Sequence, residues 1–226
     1  MLILAVGDVH GCYDKLVHLL AQCCTYAASR PHRFIFIGDF IDRGPDSRSV
    51  IELLIDLQAT ADPPPIYLRG NHEQMLLDGL RDSTAELHWL LNSGGDTTLA
   101  SYGVPSAAEL PPAHLSFLQN TQLSFDDGLR FFVHAGINPD RLLSDQDPHD
   151  LLWIREPFLS SRKGFGRYIV HGHSPLRSGG PDERPNRLNL DTAAAYGGPL
   201  TAALFLDDRK SAIGFIQSTG DLRTFV

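Results

Sequence analysis

The 226-residue sequence is poor in cysteine, in positive charge and in long apolar runs. Its three cysteines are an odd number, and Cys23 and Cys24 are adjacent. That excludes a disulfide framework and suits a reduced, cytoplasmic protein. Lys plus Arg number 19 against 27 Asp plus Glu, for a formal net charge of −8. A general nucleic-acid binder carries the opposite balance, so no nucleic-acid partner is expected. No apolar run reaches the length of a membrane span, so no membrane partner is expected either. Met1 to Val6 is apolar, lacks a basic flank and runs straight into Gly7-Asp8, so it reads as a first strand and not as a signal peptide. Repeats, low-complexity tracts and long linkers are also missing. With 42% hydrophobic and 20% charged residues, the chain reads as one globular domain over residues 1–226.

Within that domain, short apolar runs alternate with helical patterns. Leu2 to Val6, Phe34 to Ile37 and Ile66 to Leu68 read as buried strands. Leu16, Leu19, Leu20, Cys23 and Cys24 recur at helical spacing, as do Val50, Leu53, Leu54 and Leu57. A third helix runs through Met75, Leu76 and Leu80. Residues 83–120 are rich in helix formers and read as a helical insertion, a candidate cap over the site. Leu123 to Phe125 and Leu129 to Val133 flank Asp127-Gly128, a hairpin signal. Tyr168 to Val170, Leu188 to Leu190, Leu200 to Leu206 and Ala212 to Ile216 continue as strands, with Gly179 to Pro185 as a loop. The alternation predicts a two-layered α/β domain with crossover helices.

Five polar clusters follow predicted strands. They are Gly7-Asp8-Val9-His10-Gly11, Gly38-Asp39 through Asp42-Arg43-Gly44, Gly70-Asn71-His72-Glu73, His134-Ala135-Gly136 and His171-Gly172-His173. Strand ends are where ligand crevices form in α/β sheets. Asp8 and His10, two apart on extended chain, would project the same way. Asp39 has two oxygens and can bridge two cations; Asn71 offers a carbonyl oxygen, and His134 and His173 offer imidazole nitrogens. Mixed oxygen and nitrogen donors suit Mn, Fe or Zn better than Mg or Ca. Each cluster taken alone has an ordinary reading: a turn after a strand, Asn71 as a helix N-cap, a hydrogen-bonded core histidine. Five in this order favour a shared two-metal site.

The set resembles the phosphoprotein phosphatase family of metallophosphoesterases, nearest to its compact bacterial and bacteriophage lambda-type serine/threonine members. The likeness runs from Gly7 to Pro175 and is densest in Arg69 to Leu80 and at His88-Trp89-Leu90-Leu91-Asn92. It implies a four-layer calcineurin-like α/β fold, two β-sheets sandwiched between helices. It implies two divalent cations, Mn²⁺ first and Fe or Zn as alternatives: one held by Asp8, His10 and Asp39, the other by Asp39, Asn71, His134 and His173. His72 would be the general acid, oriented by Asp42. Arg43, and Arg155 in Trp153-Ile154-Arg155-Glu156, would bind phosphoryl oxygens. Pro175 stands where the wider superfamily often has another histidine, which leaves the first cation more water; His171 is left over and reads as structural. Asp191-Thr192-Ala193 departs from a family preference for glycine after the threonine, which puts the local turn in question.

The implied reaction is phosphomonoester hydrolysis by direct attack of a metal-bridging hydroxide on a phosphorylated protein or a small phosphoester, with no obligate partner. The alternative is a dinucleoside polyphosphate hydrolase like the symmetrical diadenosine tetraphosphatases; Asp42 before Arg43, and Glu73 after His72, count against it. A non-catalytic phosphate-binding module ranks last, because no ligand position has been lost. Trp89 and Trp153 read as core residues.

Overall fold

The computed structural model describes residues 1–219 and the backbone of 222–224. Strand β1 (Leu2–Val6) shows how the layers arise. All five of its side chains are buried, because the strand is covered on both faces. Leu2, Leu4 and Val6 pack with α1 (Tyr13–Ala27) and α2 (Ser47–Thr60), while Ile3 and Ala5 pack against a second sheet. Leu16, Leu19, Cys23 and Ala27 form the buried stripe of α1; Cys24 is exposed. Asp46 caps α2 by accepting from the Ser49 amide at 3.0 Å.

Strands β2 (His32–Phe36) and β3 (Ile66–Tyr67) extend the first sheet in parallel with β1. Four helices follow: α3 (Asn71–Gly79), α4 (Ser83–Ser93), α5 (Gly95–Tyr102) and α6 (Pro112–Gln119). The hairpin β4 (Ser124–Asp126) and β5 (Arg130–Val133) starts the second sheet. After α7 (Pro148–Trp153), that sheet is completed by β6 (Tyr168–His171), β7 (Asp182–Glu183) and β8 (Arg187–Asn189). β9 (Thr201–Leu206), β10 (Gly214–Gln217) and β11 (Leu222–Thr224) return to the first sheet. The orders are β11-β10-β9-β1-β2-β3 and β4-β5-β6-β8-β7.

The two sheets face each other across Ile35, Ile37, Phe132, Val170 and Leu188. Phe131, Val133 and Ile169 on the outer face of the second sheet pack against Leu151, Ile154 and Phe158. Helices, sheet, sheet and a thin outer helical layer make four layers, the architecture the resemblance implied. The two-layered reading from strand patterns undercounts them. The central strands β1, β2, β5, β6 and β9 all contain short apolar runs, and nothing in such a run says which sheet it joins. The stretch read as a loop at Gly179 to Pro185 also contains the two-residue edge strand β7.

Candidate active site

β1, β2 and β3 are parallel, and so are β5 and β6. Their C-terminal ends therefore empty all five clusters onto one rim. The His134 ring stitches the sheets there, donating from Nδ1 to the Ile37 carbonyl at 3.0 Å, while the Gly172 amide donates to the His134 carbonyl at 2.8 Å and carries the β5–β6 pairing of the second sheet out to the rim. Among the described residues, seven non-glycine residues have positive φ, and five of them are candidate site residues: His10, Asp39, Asp42, Arg43 and His173. Such conformations cost of order 1–3 kcal/mol each, and they concentrate where side chains must be aimed. The extended segment expected between Asp8 and His10 is accordingly a tight turn. Val9 and His10 both donate their amides to the Asp39 carbonyl, at 3.0 and 2.8 Å.

The glycines beside these residues permit close approach. A Cβ on Gly70 would lie 2.1 Å from Asp39 Oδ1, and one on Gly172 would lie 1.9 Å from Asp8 Oδ1. Gly70 is the N-cap of α3, so Asn71 sits just inside the helix and not at its cap.

Asp39 is the centre of the arrangement. His10 Nε2 lies 3.3 Å from its Oδ2, and His134 Nε2 lies 3.4 Å from its Oδ1. His10, Asp39 and His72 present one ligand atom each within 4.8 Å of one another, as do Asp39, His134 and His173. Asn71 Oδ1 is 2.9 Å from both His134 Nε2 and His173 Nδ1. These contacts carry a chemical signature. Burial holds the His134 imidazole below its ordinary pKa, so it is neutral, and its Nδ1 proton is committed to Ile37. Its Nε2 lone pair then faces the lone pairs of Asn71 and Asp39. Acceptors converging without a donor fit a cation. Asp8 adds a further acceptor: Oδ2 takes the His173 amide at 3.0 Å, whereas Oδ1 is buried without a hydrogen-bond partner.

The electrostatics follow. Burial raises the Asp39 carboxyl, but His134, His72 and His10 outweigh burial and hold it well below the usual carboxylate range. Burial, then Asp191 and Asp39, push Asp8 well above that range. Burial, with His134 alongside, brings His173 down to about 3.

His72 Nδ1 pairs with Asp42 Oδ2 at 2.7 Å, which leaves Nε2 turned toward Asp39. Arg43 and Arg155 line the same cavity of about 250 Å³, together with Asn71, His72, Trp153 and Tyr196. Arg43 Nη1 also donates to His10 Nε2 at 2.6 Å. That lone pair serves either the guanidinium or a cation. Every site residue named from the sequence is thus gathered at this rim. His171 is not: its ring faces Phe158 and Arg187 on the outer side of the second sheet.

Four residues at the site have contacts there that the sequence did not assign to them. Glu73 accepts the amides of Asp39, Phe40 and Gly70 at 2.8–2.9 Å, tying the β2 and β3 loops together. Trp89 Nε1 and Thr98 Oγ1 donate to the Asp42 carboxylate at 2.7 and 2.6 Å. Both come from the 83–120 segment, which thus braces the acid pair while its Ser93 reaches the cavity wall. Trp153, read as core, is partly exposed and lines the cavity edge-on to His173. Glu73 had a signal, its place directly after Asn71-His72. Trp89 stands in a segment where the resemblance is dense and is buried as expected, but its bond to Asp42 had no signal, nor had Thr98, because only the folded helices bring them to Asp42.

A family model for calcineurin-like phosphoesterases matches residues 1–203. The serine/threonine-protein phosphatase 1 of Salmonella typhimurium is 33% identical over 206 residues, covering 88% of this chain and 89% of its own. The asymmetrical bis(5'-nucleosyl)-tetraphosphatase PrpE of Oceanobacillus iheyensis is 29% identical over 227 residues, covering 88% and 87%. The solved structure of a Saccharomyces cerevisiae protein serine/threonine phosphatase superposes with a TM-score of 0.65 at 18% identity, over 100% of this chain and 80% of that one. This last likeness is one of fold.

Proposed function

The chain belongs to the calcineurin-like phosphoesterase family, and on that premise we propose that it is a metal-dependent serine/threonine protein phosphatase. The observation that carries the reading is the convergence of His134 Nε2, Asn71 Oδ1 and Asp39 Oδ1 beside a His72–Asp42 pair. Asp8, His10 and Asp39 would hold one cation, and Asp39, Asn71, His134 and His173 the other. Two divalent cations, Mn²⁺ by the mixed donor set, acidify water and polarise a phosphoryl group when bound. Arg43 and Arg155 orient the terminal phosphoryl oxygens. His72, aimed by Asp42, holds at Nε2 the proton that a poor alkoxide leaving group needs.

That acid supports a seryl or threonyl phosphate over esters that leave unaided. A second reading, dinucleoside polyphosphate hydrolysis, is favoured by the relative from Oceanobacillus iheyensis, which matches over most of both chains. Among the described residues, no helix is long and apolar enough to cross a membrane. All three cysteines are free, which supports a cytoplasmic setting.

The test is a Mn²⁺-supplemented panel of phosphoserine and phosphothreonine peptides, diadenosine tetraphosphate and p-nitrophenyl phosphate, with and without chelator. Chelator-sensitive turnover with the highest kcat/KM on the peptides is expected. Preference for the dinucleotide would move the assignment to the second reading. No turnover of any ester would overturn both.

A further inference from the structure

Tyr196 stands at the rim of the cavity, 64% exposed, so packing does not fix its ring. Its ring centroid lies 5.6 Å from the guanidinium carbon of Arg43, within cation–π range. The loop backbone therefore decides where the ring sits. Tyr196 closes a short 3₁₀ turn, Ala194–Tyr196, between Ala193 at φ 61° and Gly197 at φ 90°. The Gly198 amide donates to the Ala193 carbonyl at 3.0 Å, and Thr192 Oγ1 donates to the Pro199 carbonyl at 2.7 Å, closing the loop at its base. One further tie comes from outside. Lys15, half-buried in the first turn of α1, donates from Nζ to the carbonyls of Ala194 and Gly198, both at 2.7 Å. These carbonyls flank Tyr196 on either side.

We propose that Lys15 is a positioning residue for phosphoryl binding: it clamps the 193–198 loop so that Tyr196 braces the Arg43 guanidinium. The inference rests on the phosphoesterase reading, in which Arg43 meets the phosphoryl oxygens. Lys15 itself touches neither substrate nor cation ligand. Its effect passes through two carbonyls, one ring and one guanidinium. Removing the ammonium frees the loop, the ring leaves Arg43, and the guanidinium loses its set of directions. Ground-state binding of the phosphoryl group suffers most, because Asp39 and the His72–Asp42 pair are held by other contacts.

The test uses Lys15→Met, Lys15→Arg, Tyr196→Ala and the double variant Lys15→Met/Tyr196→Ala in the full chain. Hydrogen exchange over residues 190–200, measured without added metal, should rise in Lys15→Met and return toward wild type in Lys15→Arg. With Mn²⁺ and p-nitrophenyl phosphate, Lys15→Met should raise KM about three- to ten-fold, the size of one cation–π contact, with kcat within about two-fold. Tyr196→Ala should do the same, and the double variant should be no worse than either single one. Unchanged exchange together with an unchanged KM would overturn the proposal, and so would penalties that multiply in the double variant. Failure of the phosphoesterase reading would show differently, as a wild-type protein without turnover, and the exchange measurement would still decide whether Lys15 clamps the loop. Should Lys15→Met not fold, Tyr196→Ala carries the test, and a wild-type KM in that variant overturns the proposal.

Discussion

His72 Nδ1 lies 2.7 Å from Asp42 Oδ2; both are buried, His72 in the cavity wall and Asp42 behind it. Asp42 is saturated by Trp89 and Thr98, so its carboxylate has one direction in which to hold the imidazole. Nε2 then faces the reacting group. His72→Asn should keep the cations yet lose about 10²–10⁴-fold in kcat on a seryl phosphate, the scale of general acid catalysis. On p-nitrophenyl phosphate, whose leaving group needs no proton, the loss should be far smaller. Parallel kinetics on the two substrates, with metal content measured on the same preparations, decide the point: equal losses would remove His72 from the acid role.

Glu73 is a carboxylate whose oxygens accept backbone amides on both sides of Asp39. Burial, then the neighbouring Asp39, push it up to about 7 against the pull of those amides. Glu73→Gln keeps the shape but turns an amide NH₂ toward backbone N–H groups. Each buried donor left unmade costs about 1–3 kcal/mol. A fall in stability of about 2–4 kcal/mol by urea unfolding is therefore expected, with weaker Mn²⁺ binding because the Asp39 turn loosens. A variant with wild-type stability and metal affinity would show that those bonds hold nothing in place.

The sequence carried the site more completely than the fold. Asp8, Asp39, Asn71, His134 and His173 are legible because each sits in a glycine-flanked cluster just past an apolar run, and that adjacency is local. The division of strands between two sheets is not local. β1 and β6 look alike as runs, and only β9 returning antiparallel beside β1 reveals that the first sheet closes late in the chain. The bonds of Trp89 and Thr98 to Asp42 stayed hidden for the same reason: Asp42 is more than forty residues away and is reached only through helix packing. Tyr196 and Lys15 stayed hidden because the loop that joins them is 179 residues from α1 along the chain.

Ala193 makes a stability prediction. The resemblance implies glycine after Asp191-Thr192, and Ala193 holds the left-handed conformation that glycine adopts without strain, at φ 61° and ψ 44°. The turn is kept, at a steric cost of about 1–2 kcal/mol for an L-residue. Glycine removes that cost but gives back about 0.5–1 kcal/mol of chain entropy. Ala193→Gly should therefore be stabilising by about 0.5–1 kcal/mol, a rise of about 1–4 °C in Tm for a chain of this size. A lower Tm would mean that the alanine methyl contributes packing that offsets its strain.

His171 sets an acid limit on stability. Burial, then the Arg187 guanidinium beside it, bring its imidazole down to about 3, from an ordinary 6.5. Nδ1 faces the Gly172 carbonyl, Nε2 faces Arg187 Nη1 at 3.4 Å, and the Phe158 ring covers one side, so the folded ring has no place for a second proton. The unfolded chain takes that proton up below about 6.5. Stability from this group is thus complete above 6.5 and falls with pH from there toward 3, by about 1.4 kcal/mol per pH unit. His173 titrates in the same window, so wild type alone does not isolate the effect. His171→Gln does, because it keeps an amide donor and removes the titration. Urea unfolding at pH 7.5, 6.5 and 5.5, without added metal, should give wild type a steeper loss than the variant by about one proton's slope. Parallel profiles would mean that the folded protein accepts a charged His171 after all.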